Sequence, residues 1–331
     1  MKKTLVSGIQ SSGKLHIGNY FGAIKQNIEL GNSGEYDAFI FLADYHSMTS
    51  LTDSKERMEN TFDAACTYLA SGLDPQKVTL FVQSAVPELH ELTWVFNTLT
   101  PMPLLELAHA YKSKLDEEGG DASKSHINVG LFDYPILMAA DILIYGGEVV
   151  PVGRDQEQHV EIAREVAGKY NRAYGELFTM PQAFIKKDVA TVPGIDGGKM
   201  SKSKNNHIPL FASPEETKKR IMSIVTDSAK PEDKKDPDTN NVYNIHKLFL
   251  TAEEDKALRA KFESGGYSYK EAKEDLLTAY TNWIAPFQEK YSSFKAHPAQ
   301  VHEILHAGGM HAQARARETI KKVRAQTGLD A

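Results

Sequence analysis

The residues best suited to phosphate chemistry lie near the start of the chain. Residues 7–19 read SGIQSSGKLHIGN, between a strand-like segment and a helical one that begins near Ile17. A glycine-rich turn feeding a helix N-terminus offers free backbone N–H groups and the positive end of the helix dipole, and both favour an anion. Gly8, Gly13 and Gly18 let the backbone approach a ligand with no Cβ in the way. His16 and Asn19 are three apart, on one side of the first helical turn, and suit hydrogen bonding to phosphate oxygens. Residues 8–14 also match G-x-x-x-x-G-K, the opening of a Walker A loop. That loop needs Ser or Thr next, to hold magnesium, and the residue is Leu15. A P-loop phosphotransferase therefore ranks low.

A second cluster lies far along the chain, at Lys199, Met200, Ser201, Lys202 and Ser203. It belongs to PGIDGGKMSKSKNNH, residues 193–207, whose Gly, Lys, Ser and Asn content predicts a mobile loop. Two lysines bracketing a serine suit the pyrophosphate end of a nucleotide, where they counter charge that builds on a leaving group. The plainer alternative is an exposed basic loop.

A third group is carried by YPILMAAD, residues 134–141. Tyr134, Met138 and Asp141 are separated by four and three, so a helix presents them on one face. Either this is a core helix with one partnered acid, or Asp141 accepts a hydrogen bond from a substrate in an aromatic-lined pocket. A fourth pattern, His302-Glu303-Ile304-Leu305-His306, matches the HExxH of zinc proteases. A third histidine would be needed at position 312, which is Ala312; the nearest is His311. Gly308 and Gly309 read as the end of that helix. Two solvated histidines are the better reading, and a zinc protease ranks low.

The elements that position these residues alternate. Apolar runs of strand length occur at 5–6, 38–43, 78–83, 148–152 and 183–186. A helix is predicted over 55–71, after Asp53 and before Gly72. This alternation predicts an α/β fold with a parallel sheet, helices on both faces and ligands at the carboxyl ends of the strands. Residues 88–145 read as a helical insertion with a polar loop at 115–121. Ser213, Pro214, Glu215 and Glu216 supply an N-cap, a proline at N1 and first-turn acids. Residues 230–241 read as a charged linker, and helices follow.

Length and charge set bounds. The 331 residues suit two domains. The longest apolar run, residues 39–43, is far short of the ~20 residues that span a bilayer, and no signal-peptide pattern opens the chain. Cys66 is the sole cysteine, so no internal disulfide and no cysteine cluster for a metal is possible. These features predict a cytoplasmic protein. A net charge of -6 weighs mildly against nucleic acid, but residues 311–331 are locally basic, with Arg315, Arg317, Lys321, Lys322 and Arg324. Those cations read either as a solvated helix face or as salt-sensitive contacts to RNA.

Taken together, the motifs resemble those of the class I aminoacyl-tRNA synthetases. His16-Ile17-Gly18-Asn19 resembles their HIGH element, and Lys199 to Ser203 is their KMSKS loop unaltered, in the expected order. The YPxLMAAD form resembles the tyrosyl/tryptophanyl subgroup, and Met138, where the tyrosyl branch usually carries Gln, is similar to the tryptophanyl branch. The tyrosyl sister activity ranks second. The resemblance implies a Rossmann-like catalytic domain over 1–205, with the insertion at 88–145 and a mobile KMSKS loop at 193–205. It implies an all-α, anticodon-binding domain over 206–331.

For tryptophan, the resemblance implies a pocket of Gly8, Gln10, His46, Tyr134, Met138, Asp141, Val150, Val152 and Gln156. An indole N–H only donates, so one carboxylate suffices, and Met138 would pack on the ring through its sulfur. Phenylalanine would leave Asp141 buried and unpaired, a rejection of order ~10⁴ that makes an editing domain unnecessary. For ATP it implies Gln10, Ser11, Ser12, His16, Gly18 and Asn19, with Gly18 clearing room for the adenine. Gly153, Arg154 and Asp155 would meet the ribose, and Val192 the adenine. Lys199, Met200, Ser201, Lys202 and Ser203 would meet the phosphates. Lys199, Lys202 and Lys114 would carry catalysis, with Lys112 beside them, and the KMSKS loop would close over ATP. Asp155 would also cap the next helix, with Gln158 at the box position.

Asp44-Tyr45-His46 resembles the family's DQH element, and Thr226-Asp227-Ser228 its TDS turn. Departures are Ser11 for a frequent proline, Arg154 for an acid, Val6 for a common phenylalanine, and His109 and Ala110 in a helix often reading MTQ. The implied ligands are L-tryptophan, Mg²⁺-ATP and tRNA(Trp). No iron–sulfur cluster, structural zinc, other metal or membrane is expected. A homodimer joined through the insertion helices is.

Overall fold

The computed structural model describes residues 2–117, 119, 127–186, 192–202 and 204–330, without the side chains of His109, Ala110, Ser113, Glu117 and Asp155. The chain forms two compact units. Unit 1 is Met1–Gly13, Gln26–Lys187 and His297–Ala331, and unit 2 is Lys14–Lys25 and Asp188–Ala296.

The strands are β1 (Lys3–Gln10), β2 (Tyr36–Ala43), β3 (Val78–Val82), β4 (Val149–Pro151) and β5 (Gln182–Phe184). The first helices are α1 (Ile17–Asn19), α2 (Lys25–Asn32), α3 (Asp44–Ser47), α4 (Ser54–Ala70), α5 (Glu88–Leu99), α6 (Met102–Glu106) and α7 (His109–Glu117). Then come α8 (Val129–Leu143), α9 (Glu157–Tyr174), α10 (Pro214–Met222), α11 (Asn241–His246), α12 (Ala252–Ser264), α13 (Tyr269–Ala296) and α14 (Pro298–Thr327).

Unit 1 is built on a five-stranded parallel sheet of order β3-β2-β1-β4-β5. The middles of its central strands are mostly apolar because helices cover both faces; Leu5, Val6, Ile40 and Phe81 are wholly buried. The order reverses between β1 and β4, where such folds open a crevice at the strands' carboxyl ends. β1, β2, β3 and β4 all end on that side, and the residues just beyond them are Ser11, Asp44, Gln83 and Val152. Helix α4 starts as predicted, with the Asp53 carboxylate accepting from the Glu56 N–H at 2.8 Å.

Several expectations need correction. Helix α14 does not stop at Gly308 and Gly309 but runs on to Thr327. The glycines serve packing: a Cβ at Gly308 would lie 2.0 Å from the Leu80 carbonyl oxygen, and one at Gly309 would lie 2.9 Å from the Ala85 Cβ. The helix thus lies directly on β3, and residues 297–331 join unit 1 instead of the helical region. The compact units are accordingly drawn differently from 1–205 and 206–331, with Lys14–Lys25 falling in unit 2. Residues 115–117 belong to α7 and not to a loop; of the remaining loop, residues 118, 120 and 121 lie outside the described residues. The predicted cap at Asp155 is replaced by Gln156, which makes no side-chain cap, and Gln158 donates instead to the Leu107 carbonyl at 3.1 Å.

In unit 2, residues 15–17 pair with 208–210 through Ile17 N–H to Ile208 O (3.1 Å) and Leu210 N–H to Leu15 O (3.0 Å). A π-helical turn, Tyr20–Ile24, continues α1. Its Phe21 ring stacks on Trp283 of α13 at 5.5 Å, and Tyr20 meets the same indole edge-on at 5.0 Å. Ser213 caps α10 as expected, 3.2 Å from the Glu216 N–H. The 230–241 segment is no loose linker. Lys235 is 4 % exposed, and its ammonium donates to the carbonyls of Lys230, Pro231 and Asp233. Among the described residues no helix is long and apolar enough to cross a membrane.

Candidate functional site

In unit 1 the polar residues converge on Asp141, in the last turns of α8 and 1 % exposed. A buried carboxylate must be hydrogen-bonded. His46, in the short helix after β2, places Nε2 2.8 Å from Oδ2. Gln83, just after β3, places Nε2 2.9 Å from Oδ1 and 2.8 Å from Oδ2. Burial pushes the Asp141 carboxyl above the usual carboxylate range, and the His46 and Gln83 bonds pull against it. Asp44 anchors the same corner by accepting from the Ser84 N–H at 3.0 Å.

Tyr134, two turns before Asp141, has its ring 5.9 Å from that of His46, edge to face. Its hydroxyl pairs closely with His159 Nε2, and His159 Nδ1 lies 2.9 Å from Gln156 Oε1. Burial raises the Tyr134 hydroxyl to about 12, so it stays protonated. Met138 packs half-buried against the core, Val150 is buried on β4, and Val152, just past the strand, is half-buried. Tyr134, Gln156, His46 and Asp141 therefore form one connected network, with Gln10 attached through its amide donating to the His46 carbonyl at 3.1 Å.

The remaining expected positions have these surroundings. Gly8 gives room to protein: a Cβ there would lie 2.4 Å from the Phe41 ring. Ser11 is buried, with its hydroxyl 2.9 Å from that of Thr61, so it faces inward. Ser12 is half-buried, Gly153 precedes a short 3-10 turn, and Arg154 is exposed. Lys112 is exposed and Lys114 half-buried on α7. The Asp155 side chain and Ser203 lie outside the described residues.

In unit 2 residues 199–202 form a tight hairpin with 192–198. Pro193 pairs with Lys199, and Met200 N–H donates to the Val192 carbonyl at 3.1 Å. Asn206, 2 % exposed, pins its base. Its amide donates to Asp196 Oδ1 (2.8 Å) and the Lys199 carbonyl (3.1 Å), and its Oδ1 accepts from the Ser201 N–H (2.7 Å). Val192 and Met200 are buried, Ser201 and Lys202 half-buried, and Lys199 exposed. The Val192 carbonyl is thus already engaged within the hairpin.

His16 packs beside this hairpin. A Cβ at Gly18 would lie 2.9 Å from His16 Nδ1 and 3.4 Å from the Met200 Cβ, so this glycine keeps the imidazole and the loop together. Burial, then the charges of Lys202 and His207, push the His16 imidazole down to about 3. It is neutral at physiological pH and offers one donor and one acceptor. Asn19 Oδ1 accepts from the His16 backbone N–H at 3.1 Å, which leaves the Asn19 amide hydrogens for a ligand.

Sequence reasoning missed three members. Gln83 read as the end of a strand, although a polar residue closing a buried strand on the ligand side was a signal. His159, three residues after Gln156, had no local pattern to single it out. Asn206 had no signal beyond its place in a polar loop.

This arrangement, a parallel sheet with a carboxylate network at its strand ends and a lysine hairpin beside an HIGN turn, has relatives. A family described as tRNA synthetases class I (W and Y) matches residues 2–284. The chain belongs to this family. A tryptophan--tRNA ligase of Fusobacterium nucleatum subsp. nucleatum is 48% identical over 99% of this chain and 98% of its own. One of Campylobacter jejuni is 45% identical over 98% of this chain and 99% of its own. A crystal structure of the Campylobacter jejuni tryptophanyl-tRNA synthetase, complexed with ADP and tryptophan, superposes with a TM-score of 0.87 at 44% identity, covering 98% of this chain and 99% of that one. The Mycoplasma pneumoniae synthetase gives 0.84 at 32% identity, covering 99% and 98%.

Proposed function

We propose that the chain activates L-tryptophan with Mg²⁺-ATP and transfers it to the 3′ end of tRNA(Trp). The observation that carries the substrate is the buried Asp141 carboxylate on the helix face that also holds Tyr134 and Met138. In the first step a tryptophan carboxylate oxygen attacks the α-phosphorus, the bond to the bridging oxygen breaks, and pyrophosphate leaves. In the second, the 2′-hydroxyl of the terminal adenosine attacks the adenylate carbonyl and AMP leaves. Magnesium arrives with the nucleotide as part of the substrate.

Unit 1 supplies the tryptophan side. Asp141 accepts the indole N–H, Met138, Val150 and Val152 contact the ring, and Tyr134, Gln156, His46, Gln10 and Gly8 surround the amino-acid end. Unit 2 supplies the triphosphate side. Neutral His16 and the Asn19 amide donate to phosphate oxygens, and Gly18, Val192 and Met200 shape the nucleotide end. Lys199, Ser201 and Lys202 stabilise charge on the departing pyrophosphate. Gly153, Arg154 and Ser12 are assigned to the ribose, and Lys114 of α7 to phosphate. Ser11 takes part through its backbone, its hydroxyl being held by Thr61.

The helices of unit 2 read the anticodon, and the protein works as a cytoplasmic homodimer. The exposed Trp94, Met102 and Leu107 of the insertion support that contact. ATP–pyrophosphate exchange with each amino acid in turn tests the reading. Exchange with tryptophan alone is expected. Exchange with tyrosine instead moves the protein to the sister activity, and exchange with none rejects the enzyme reading.

A further inference from the structure

Gln83 is a polar side chain with no exposed surface, the first residue of a 3-10 turn after β3. Glutamine is seldom fully buried, and when it is, its whole hydrogen-bonding capacity must be met. Its Oε1 accepts from the Tyr45 N–H at 3.1 Å and the His46 N–H at 3.4 Å. Its Nε2 faces both oxygens of Asp141. The surroundings fix the amide's orientation: backbone N–H groups only donate and a carboxylate only accepts, so a flipped amide would oppose like with like at both ends.

Two consequences follow from this geometry. Oδ2 of Asp141 has two partners, His46 and Gln83, whereas Oδ1 has one among the described residues. Oδ1 is therefore the oxygen with capacity left for a ligand N–H. The same glutamine also holds the backbone of His46, so one side chain sets the carboxylate and its second donor relative to each other.

We infer that Gln83 is a positioning residue that aims Asp141 Oδ1 and thereby sets the preference for a substrate bearing a ring N–H. This inference rests on the reading of Asp141 as the indole acceptor. Without Gln83 the carboxylate keeps His46 alone and is free to turn its open lone pair away from the ring.

The test compares ATP–pyrophosphate exchange driven by tryptophan and by β-(3-benzothienyl)alanine, whose ring has sulfur in place of N–H. Gln83→Met keeps length and removes every hydrogen bond. It is expected to raise the tryptophan KM roughly 10- to 100-fold, the worth of a hydrogen bond to a charged group, with kcat nearly unchanged. The KM for the benzothienyl substrate is expected to stay near wild type, so the preference for tryptophan collapses. A purely structural glutamine would instead lower activity with both substrates alike, and that result overturns the inference. Asp141→Ala, which removes the acceptor, is run in parallel. If it loses the preference and a folded Gln83→Met keeps it, the inference fails while the pocket reading stands. If Asp141→Ala keeps the preference, the pocket reading fails and the inference with it. Should circular dichroism show Gln83→Met unfolded, Gln83→Glu is scored by the same criteria. It retains an acceptor for the Tyr45 and His46 N–H groups and sets a second carboxyl against Asp141, so it too is expected to lose the preference.

Discussion

In unit 1 the decisive charge, Asp141, is 1 % exposed and met by donors from the ends of two strands. In unit 2 the decisive charges sit on a hairpin whose Lys199 is exposed and whose base is held by the buried amide of Asn206. On the proposed reading the two regions do different work. A carboxylate that must tell one ring from another gains from fixed, desolvated geometry, since a ligand with no N–H leaves the open lone pair of Asp141 Oδ1 unfilled. Lysines that must follow charge onto a leaving group gain from a loop that is firm at its base and open at its tip. That reading places selectivity at the strand ends of the sheet, and rate in the hairpin.

Removing Lys202 attacks the rate side most directly. Lys202→Ala is expected to cut kcat for exchange by about 10²–10³, comparable to losing one preorganised transition-state donor, with a far smaller change in ATP KM. Steady-state kinetics check the split; equal changes in both constants would make Lys202 a ground-state contact. On the sheet side, Gly308→Val drives a branched side chain into the Leu80 backbone, which cannot rotate away. A loss of about 3 kcal/mol in unit 1 stability is expected, read by thermal unfolding.

A pH titration separates the units further. Burial, against the pull of Asp275, holds the His246 imidazole of unit 2 down at about 4 from its ordinary 6.5. The unfolded chain therefore takes up the proton first, and stability is lost as pH falls from 6.5 toward about 4. His246 contributes about 2 kcal/mol of that loss between pH 7 and pH 5, and buried His16 adds a slope of the same sign. His246→Gln is expected to flatten the curve. Trp283 fluorescence in a Trp94→Phe background follows unit 2, since the chain has two tryptophans; an unaltered slope would remove His246 from the account.

The smallest effect belongs to the basic C-terminal helix. Arg317 pairs with Glu88 at 2.9 Å and Arg324 with Glu91 at 2.6 Å, while Arg315 lies 3.7 Å from Asp37. Three of its cations thus answer acids of unit 1. Arg317→Ala is expected to cost less than about 1 kcal/mol, as exposed pairs do, and to leave the salt dependence of tRNA affinity unchanged. A shallower salt slope, measured by filter binding, would return this helix to the RNA side.

These results divide what a sequence can reveal from what it hides. The strands, the HIGN and KMSKS elements and the face shared by Tyr134, Met138 and Asp141 are local patterns, and each was legible. Gln83 and Asp141 are 58 positions apart, and Arg317 and Glu88 are 229 apart. No window of periodicity registers such partners. Gly308 and Gly309 misled because glycine commonly ends helices, whereas here it admits a strand's backbone. His16 and Gly18 were legible as a pair, but Gly18's task of accommodating the imidazole and Met200 depends on a residue 182 positions on.

The path of α14 also bears on how the chain is made. Its cover over β3 is translated after all of residues 188–296, so the ribosome releases the sheet long before its last helix exists. Domains usually fold as they emerge, the earlier one first. Here the earlier unit waits for α14 before that face of β3 is covered. A nascent chain stalled before residue 297 would present that strand to chaperones, and one extended past α14 would not.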